Sequence, residues 1–480
     1  MSERRHSARF WGPARCKALC GILWLLLLLW APASAWGQAA VAPLEPAETL
    51  DLSQPLAMEK PEGWDYLKPV GNLLALNLIY WAGSRYVLNN DYSYIGPQSI
   101  INNFEQGFVW DSDEFGVNQF GHPYQGAGYQ TGARAVGFGF WGAIPYTVLG
   151  SLQWEFFMEN TPPSYNDLVT TSVGGVVLGE VLFRLSSAFL DPSSRGFERV
   201  AREGGSLVIS PIYGIARLVS GDAARLGEME GTQPVSIKFG VGFNDFNSSD
   251  LSGGVLNLGL DVGIIYGDFV DDGRPFAPFD WFAMRGGVNY RPSDFQAADF
   301  DLSGLLARWG FGCGSGNDCV WGPAMHYDYH QTPAFEVGTS SAGILALGRF
   351  DLGVGGLKLY AGLDLEVIAL GGFDSPYVES ATGRAYNLGS GGFGRAALVL
   401  DRPGWFQLRG YSSRYYVRTV KGVTSHDWAG ITGAKLEVPI HWGLGVSVGL
   451  VLYDRLGVSE DYPRVESWNV AQELRLYWKL

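Results

Sequence analysis

The stretch HYDYHQTPAFEVGTSS, from residue 326 to residue 341, carries side chains that could do nucleophilic chemistry. Its alternating pattern predicts two strands of a hairpin, with His326 and Asp328 on the inward face. If residues 331–335 form the connecting turn, Ser340 lies opposite His326 on the next strand. A serine, a histidine and an aspartate on one patch are the residue types of nucleophilic hydrolysis. The alternative interpretation is that these polar side chains only line the water-filled lumen of a barrel.

A second group of charged residues lies in an otherwise apolar part of the chain. Glu155 and Glu159 are four residues apart and share a helix face, as do Glu180 and Arg184. Carboxylates near a histidine could bind a metal ion or move protons. Charges inside an apolar bundle also need ionic partners, so structural ion pairs are the preferred interpretation, and we expect no bound metal and no cofactor. The group comprises His122, Arg134, Glu155, Glu159, Asp167, Glu180 and Arg184.

The N-terminal residues predict that the protein is exported. Basic residues precede the apolar run from Ile22 to Trp30, and Ala33-Ser34-Ala35 follows it, which predicts a signal peptide over residues 1–35. Residues 36–60 are rich in Ala and Pro and predict a flexible periplasmic lead. The whole chain has a net charge of -14, and cleavage would make it more acidic. An acidic chain argues against a nucleic-acid partner.

Two cysteines lie beyond the predicted signal peptide. Cys313 and Cys319 are six residues apart in the loop GCGSGNDC. A zinc site would need further ligands at suitable spacing, and the sequence offers none there. In an exported chain this pair predicts a small disulfide loop.

The hydrophobic period changes near residue 230. Residues 61–225 read as a helical module, whereas residues 234–480 alternate with a period of two. The alternating segments are about ten residues or longer, aromatic residues tend to fall near their ends, and short connections alternate with long ones late in the chain. These features predict a membrane all-β fold: an antiparallel outer-membrane β-barrel of about twelve strands.

The last strand, QELRLYWKL, shows the pattern clearly. Glu473, Arg475 and Tyr477 alternate with Leu474 and Leu476. One face would meet lipid and the other the lumen, while closure of the sheet pairs the backbone. A strand of this kind at the C-terminus is also what outer-membrane assembly machinery usually recognises.

The helical half carries distinctive elements between residues 100 and 222. They are His122-Pro123-Tyr124-Gln125-Gly126, Arg134, Trp154-Glu155, Glu159, Pro163-Ser164, Asn166-Asp167, Gly174-Gly175, Gly179-Glu180 and SPIYGIARLVSGD. These elements resemble the domain of unknown function 3943, an uncharacterised envelope family of Gram-negative bacteria. The resemblance implies an outer-membrane β-barrel with an N-terminal helical module, and it supplies no activity. Ser164 is also predicted to cap a helix that holds Asp167 in its first turn.

The function that these observations favour is non-enzymatic: an outer-membrane barrel of structural, transport or envelope-organising type. The helical module is expected on the periplasmic side, packing on the barrel or plugging it. The expected partners are outer-membrane lipids, lipopolysaccharide and the assembly machinery. One alternative is a lipid-modifying hydrolase that uses Ser340, His326 and Asp328. Another is a polytopic inner-membrane protein built from residues 66–90, 135–157 and 168–190, which the long alternating half argues against.

Overall fold

The barrel is described from a computed structural model of the chain. The predicted signal peptide (1–35) and periplasmic lead (36–60) lie outside the described residues. The described residues are 61–225, 233–248, 255–270, 273, 275–291, 294–378 and 385–480.

Twelve long antiparallel strands form a closed barrel. Each pairs with its neighbours in sequence, with the two-residue β5 lying beside the wall, and the first strand pairs with the last. The predicted fold class and strand number are therefore confirmed. The strands are β1 (Val235–Ser248), β2 (Val255–Tyr266), β3 (Phe282–Arg291), β4 (Asp294–Leu305), β5 (Trp309–Gly310), β6 (Asp318–Gln331), β7 (Glu336–Asp351), β8 (Lys358–Asp374), β9 (Tyr386–Arg402), β10 (Phe406–Lys421), β11 (Ser425–His441), β12 (Leu444–Ser459) and β13 (Val465–Lys479).

The two faces of the wall differ as the alternation predicts. On β13, Leu474 and Leu476 are about half exposed on the outer face, whereas Arg475 is only 3% exposed inside the barrel. An outward apolar band around a closed antiparallel sheet is the architecture of outer-membrane barrels. The tight turn between β11 and β12 consists of Trp442 (φ 50°) and Gly443 (φ 78°), both left-handed as a two-residue hairpin turn requires.

The N-terminal region is helical. Its helices are α1 (Lys68–Ala82), α2 (Pro97–Gln106), α3 (His122–Arg134), α4 (Phe140–Phe157), α5 (Tyr165–Val169), α6 (Gly175–Phe189), α7 (Gly196–Ile209) and α8 (Pro211–Ser220). Short π-helical turns, Val117–Gly121 and Thr170–Gly174, lead into α3 and α6.

Glycines bring α3 and the start of α6 into close contact. A Cβ atom on Gly126 would lie 1.9 Å from the carbonyl oxygen of Thr171, and one on Gly175 would lie 2.5 Å from the Cα atom of Gly126. Backbones can approach this closely only where both positions lack side chains. The glycines are therefore required for the packing of the helical module.

The module contacts the barrel on the outer face of its wall. The hydroxyl of Tyr327 donates to the carbonyl oxygen of Gln119 (2.5 Å), and Asn118 donates to the hydroxyl of Tyr386 (2.6 Å). Tyr327 is 1% exposed and points away from the lumen, because the adjacent residues of β6 point inward. The sequence allows the helical module either to pack on the barrel or to plug it. The contacts of Tyr327 and Tyr386 show that it packs on the outer face of the wall.

The contacts extend to both ends of the strands. Phe140 of α4 packs against Phe279, which precedes β3 on the end of the barrel where the chain terminates (ring centroids 5.6 Å apart). Phe115 packs against Tyr386 at the start of β9, on the opposite end (5.3 Å). Because these contacts lie at both ends of the strands, α3 and its neighbours follow the wall lengthwise.

Residues 183–225 belong to a separate compact unit. Within it, the hydroxyl groups of Ser186 and Ser206 lie 2.7 Å apart, and Arg217 of α8 pairs with Glu203 of α7 at 2.8 Å. Among the described residues, one helical stretch, Tyr165–Phe189, is long and apolar enough to cross a membrane, and most of it is buried.

Candidate functional site in the barrel lumen

A buried histidine lies between two carboxylates on the inner face of the wall. Nε2 of His326 is 3.0 Å from Oδ1 of Asp328, and its Nδ1 is 3.2 Å from Oδ2 of Asp364. None of the three residues is more than 2% exposed. Alternation on β6 points the first two inward, and β8, two strands away, supplies the third. The imidazole is thus held at both nitrogens.

Side chains from opposite strands meet across the lumen at this point. Tyr415 of β10 donates its hydroxyl to Oδ2 of Asp328 (2.8 Å). Arg395 of β9 pairs with Asp301 of β4 (3.1 Å) and lies 3.7 Å from Asp328. These strands are not neighbours in the sheet, so the contacts bridge the interior. Breaking a buried ion pair of this kind is costly, because it leaves a buried charge without a partner.

Further charged pairs lie inside the barrel toward each end. Arg455 of β12 contacts Asp374 of β8 at 2.6 Å, and Lys238 of β1 pairs with Glu437 of β11. Apolar and aromatic side chains also fill the interior. The buried cluster comprises Phe246, Ala334, Phe335, Val337, Ile368, Phe373, Phe393, Tyr415, Val417, Ala429, Ile431, Val451, Tyr453 and Ala471. A cavity of about 80 Å³ lies beside Lys238 and is lined mainly by charged and polar side chains.

The predicted serine, histidine and aspartate patch is not assembled. The turn between β6 and β7 contains residues 332–335, so Gln331 pairs with Glu336, and Ser340 pairs with Tyr327 instead of His326. A slip of one residue moves a side chain to the other face of a sheet. Ser340 therefore lies on the outer face, against Gly174 of the helical module. The predicted pairing is wrong, and the hydrolytic arrangement fails with it.

The charged residues of the helical module separate into two groups. Arg134 Nε lies 3.0 Å from Glu180 Oε2, and both residues are buried. Glu155 accepts instead from the backbone N–H of Ser164 (2.8 Å). Arg184 lies on α6, in the part of that helix that belongs to the separate unit. The ion pair that the sequence led us to expect thus involves Arg134 and Glu180.

His122 and Asp167 meet at the other end of α3. Nε2 of His122 is 3.4 Å from Oδ1 of Asp167, and the hydroxyl of Thr171 is 3.3 Å from Nδ1. Burial lowers the pKa of His122 to about 4, so the imidazole is neutral and its contact with Asp167 is not an ion pair. The hydroxyl of Ser164 accepts from the backbone N–H of Asp167 and caps α5.

The two glutamates at the end of α4 are difficult to ionise. Burial raises the pKa of Glu159 to about 7, although the indole N–H of Trp154 and the hydroxyl of Thr161 both donate to its carboxylate. Burial also raises the pKa of Glu155 well above its ordinary value, and the charge of Glu159 adds to this effect. The ionised forms of both carboxyl groups are therefore disfavoured at this end of α4.

The cysteine pair forms the expected kind of link. Cys313 and Cys319 are joined by a disulfide whose Cα atoms lie 6.1 Å apart. The bond closes the loop that leads into β6. It lies toward the start of that strand, whereas His326 lies beyond its middle.

Several residues of the lumen network were missed by reasoning from sequence. Asp364 and Glu366 occupy the polar positions of the alternating segment LKLYAGLDLEVIA, which identifies their face but not their partners. Asp301 lies on β4, far in sequence from Arg395 on β9 and Tyr415 on β10. The alternating pattern indicates that the charged residues of consecutive strands face inward. It does not identify which of them meet, because that depends on the strand register.

The family suggested by the sequence elements is found by comparison. Residues 107–212 match the model of the family described as domain of unknown function DUF3943. The resemblance inferred from the sequence is therefore confirmed over these residues. The DUF3943 region covers α3 to α7 and the first residues of α8, and it includes every residue of the charged group in the helical module. No curated protein matches the chain.

Solved outer-membrane barrels resemble the strand region weakly. The NanC porin shares 9% identity with a TM-score of 0.28, covering 52% of this chain and all of its own. The translocator domain of autotransporter NalP from Neisseria meningitidis shares 13% (TM-score 0.23), covering 56% of this chain and 95% of that one. The anion-selective porin from Comamonas acidovorans shares 8% (TM-score 0.22), covering 52% and 99%. Similarity this low supports no statement about function, and the barrel fold rests on this chain's own strand pairing.

Proposed function

We propose that the protein is a non-conducting outer-membrane barrel that anchors its helical module and so serves a structural, envelope-organising role. The observation that carries this proposal is the set of buried bridges across the lumen. Arg395 reaches Asp301, and Tyr415 reaches Asp328, between strands that are not adjacent. A transport role would require a continuous aqueous path through this region.

The energetics favour a permanently closed interior. Removing one partner of a buried ion pair leaves the other charge uncompensated, at a cost of about 3–5 kcal/mol. Opening a path past Arg395 would break its contacts with Asp301 and Asp328 together. The buried apolar and aromatic cluster that includes Tyr415 would also have to repack. Thermal fluctuation supplies far less energy than that.

The anchoring role rests on the covered part of the wall. Tyr327 and Tyr386 form hydrogen bonds with residues of the module, and Phe115 packs between Tyr329 and Tyr386. Aromatic residues near strand ends also occur in lipid-facing barrels, but the hydroxyls of Tyr327 and Tyr386 both have protein partners. Tyrosine hydroxyls with protein partners suit a docking surface.

The proposed route to this position is export through a cleaved signal peptide over residues 1–35, followed by insertion into the outer membrane of a Gram-negative bacterium. The assembly machinery would recognise β13, and lipopolysaccharide and lipid would surround the exposed wall. After fractionation the mature chain is expected in the outer membrane with heat-modifiable migration on gels. Recovery in the inner membrane without this shift would contradict the location.

Conductance of the full chain in planar bilayers tests the closed lumen. The wild-type protein is expected to give no stable current steps. The double variant Asp301→Ala/Arg395→Ala removes a bridge and is expected to leak. Arg414→Ala is the matched control, because Arg414 is exposed and pairs with Asp454 away from the lumen. Stable steps from the wild type would overturn the proposal in favour of transport.

A further inference from the structure

The lumen also holds a set of potential metal ligands that a closed barrel does not require. His326 of β6 and the pair Asp364 and Glu366 of β8 each offer one ligand atom, and these atoms lie within 4.8 Å of one another. The three residues are 0%, 2% and 6% exposed. We infer that this group binds one divalent first-row transition metal ion, such as Zn²⁺, inside the barrel. The site is independent of the proposed anchoring role.

Unpaired oxygen atoms point to a bound cation. Oδ1 of Asp364 and Oε1 of Glu366 are buried and have no hydrogen-bond partner among the described residues. Leaving buried carboxylate oxygens without partners is costly, and two carboxylates side by side repel each other when ionised. A divalent cation would satisfy both oxygens and remove the repulsion.

The spacing of the ligand atoms is compatible with a small ion. Nδ1 of His326 is 3.2 Å from Oδ2 of Asp364 and 4.0 Å from Oε1 of Glu366. Tetrahedral coordination with bonds of about 2.0–2.2 Å separates neighbouring ligand atoms by about 3.4 Å. Small side-chain rotations would therefore bring the atoms to bonding distance. One imidazole and two carboxylates suit Zn²⁺ and related ions better than the all-oxygen sites of Ca²⁺.

Neighbouring groups hold the ligands in the orientation that a metal site requires. Nε2 of His326 contacts Asp328, and Nδ1 faces the two acids, where a metal ion would replace its 3.2 Å contact with Asp364. A carboxylate on the second ring nitrogen fixes the tautomer and strengthens the histidine as a ligand. The hydroxyl of Ser303 lies 3.4 Å from Asp364, and that of Ser341 donates to Glu366.

The charges also balance. Asp328 is offset by Arg395, which lies 3.7 Å away. The carboxylates of Asp364 and Glu366 then match the two positive charges of the ion. In the competing arrangement a proton takes the place of the metal ion. Either His326 is protonated, or Asp364 and Glu366 share one proton between their carboxylates. That arrangement predicts no affinity for metal, so binding measurements separate the two.

The test uses the full chain refolded into detergent after metal removal. Zn²⁺ is added during refolding, because the ligands are enclosed once the barrel closes, and metal content is then measured by mass spectrometry. One ion per folded chain is expected. Refolding with Co²⁺ should produce visible absorption of a site with nitrogen and oxygen ligands.

Matched variants locate the ion. Glu366→Gln removes a ligand, and Asp328→Asn removes the negative charge behind the histidine, which should weaken affinity by about 10- to 100-fold. Glu473→Gln is the control, because Glu473 also lies inside the barrel but near Lys435. Heat-modifiable migration identifies the folded fraction of every sample. If folded wild-type chain holds no more Zn²⁺ than folded Asp364→Asn/Glu366→Gln, the inference is overturned, and equal binding by all variants would also overturn it.

Discussion

Two parts of the outer wall have the same strand geometry and different surroundings. On β7, Ser340 and Ile344 lie on the same outer face, four residues apart. Ser340 is 3% exposed because the helical module covers it, whereas Ile344 is 53% exposed. The covered wall also carries Tyr327 and Gly338, and the bare wall carries aliphatic residues. The outward phase of a strand therefore specifies which side faces away from the lumen, whereas the packing of the helical module decides which of the outward residues are covered.

The largest effect is expected where the module that covers the wall is held together. Arg134→Ala would leave Glu180 buried without its ionic partner and should destabilise the module by about 3–5 kcal/mol. Limited proteolysis should then cut within residues 61–182, while heat-modifiable migration of the barrel persists. Arg225→Ala is the control, because Arg225 is exposed. An Arg134→Ala chain as resistant to protease as the wild type would show that the pair is not structural.

The part of the outer wall that the helical module does not cover should be destabilised by a charged substitution. Leu365 of β8 is 59% exposed on the outer face, near the middle of the strand. Leu365→Arg should destabilise the barrel in lipid by about 2–4 kcal/mol, because an arginine near the bilayer centre is costly. Urea titration in vesicles measures this. Val354→Arg is the control, since Val354 lies in a turn between strands. Equal stability of both variants would mean that lipid does not contact this face.

A change of pH should loosen the covering module more than the bare wall. The pKa of Glu159 is raised to about 7 by burial, so its contribution to stability is present below about 4.5 and is lost as pH rises through 7. Raising the pH from 5 to 8 is expected to reduce the stability of the module by about 1–2 kcal/mol. Hydrogen exchange of residues 140–160 reports it.

The matched variant for this pH effect is Glu159→Gln. It keeps a side chain of similar size and removes the ionisation, so its exchange rates should be nearly independent of pH after correction for intrinsic exchange. A wild-type module that becomes more protected at pH 8 would contradict the assigned direction. The pH dependence would then have to come from other groups.

The sequence was sufficient for features that depend on local periodicity. Alternation in β13 separated Leu474 and Leu476 from Arg475, and the close spacing of Cys313 and Cys319 in a chain with a predicted signal peptide suggested their disulfide. These features need only the two-residue repeat of a strand or the chemistry of a short loop.

Contacts that depend on register could not be obtained in the same way. The turn after β6 is one residue shorter than predicted, and this difference alone moved Ser340 to the outer face. The partner of Arg134 was likewise uncertain, because several acids shared its apolar segment and only the helix packing selects Glu180. The contacts of Arg395 with Asp301 and Asp328 across the lumen required the closed sheet.

The smallest expected effect distinguishes a docking surface from incidental contact. Tyr327→Phe removes the hydroxyl that donates to the carbonyl oxygen of Gln119 and keeps the ring. A single buried hydrogen bond contributes about 0.5–1.5 kcal/mol, and the carbonyl left behind adds a desolvation cost. Exchange of amides near residues 115–121 should therefore accelerate several-fold while the strands stay protected. Tyr290→Phe is the control, since Tyr290 is about half exposed. If both variants behave alike, the module is held by shape and apolar packing, and the tyrosines of the covered wall do not select its position.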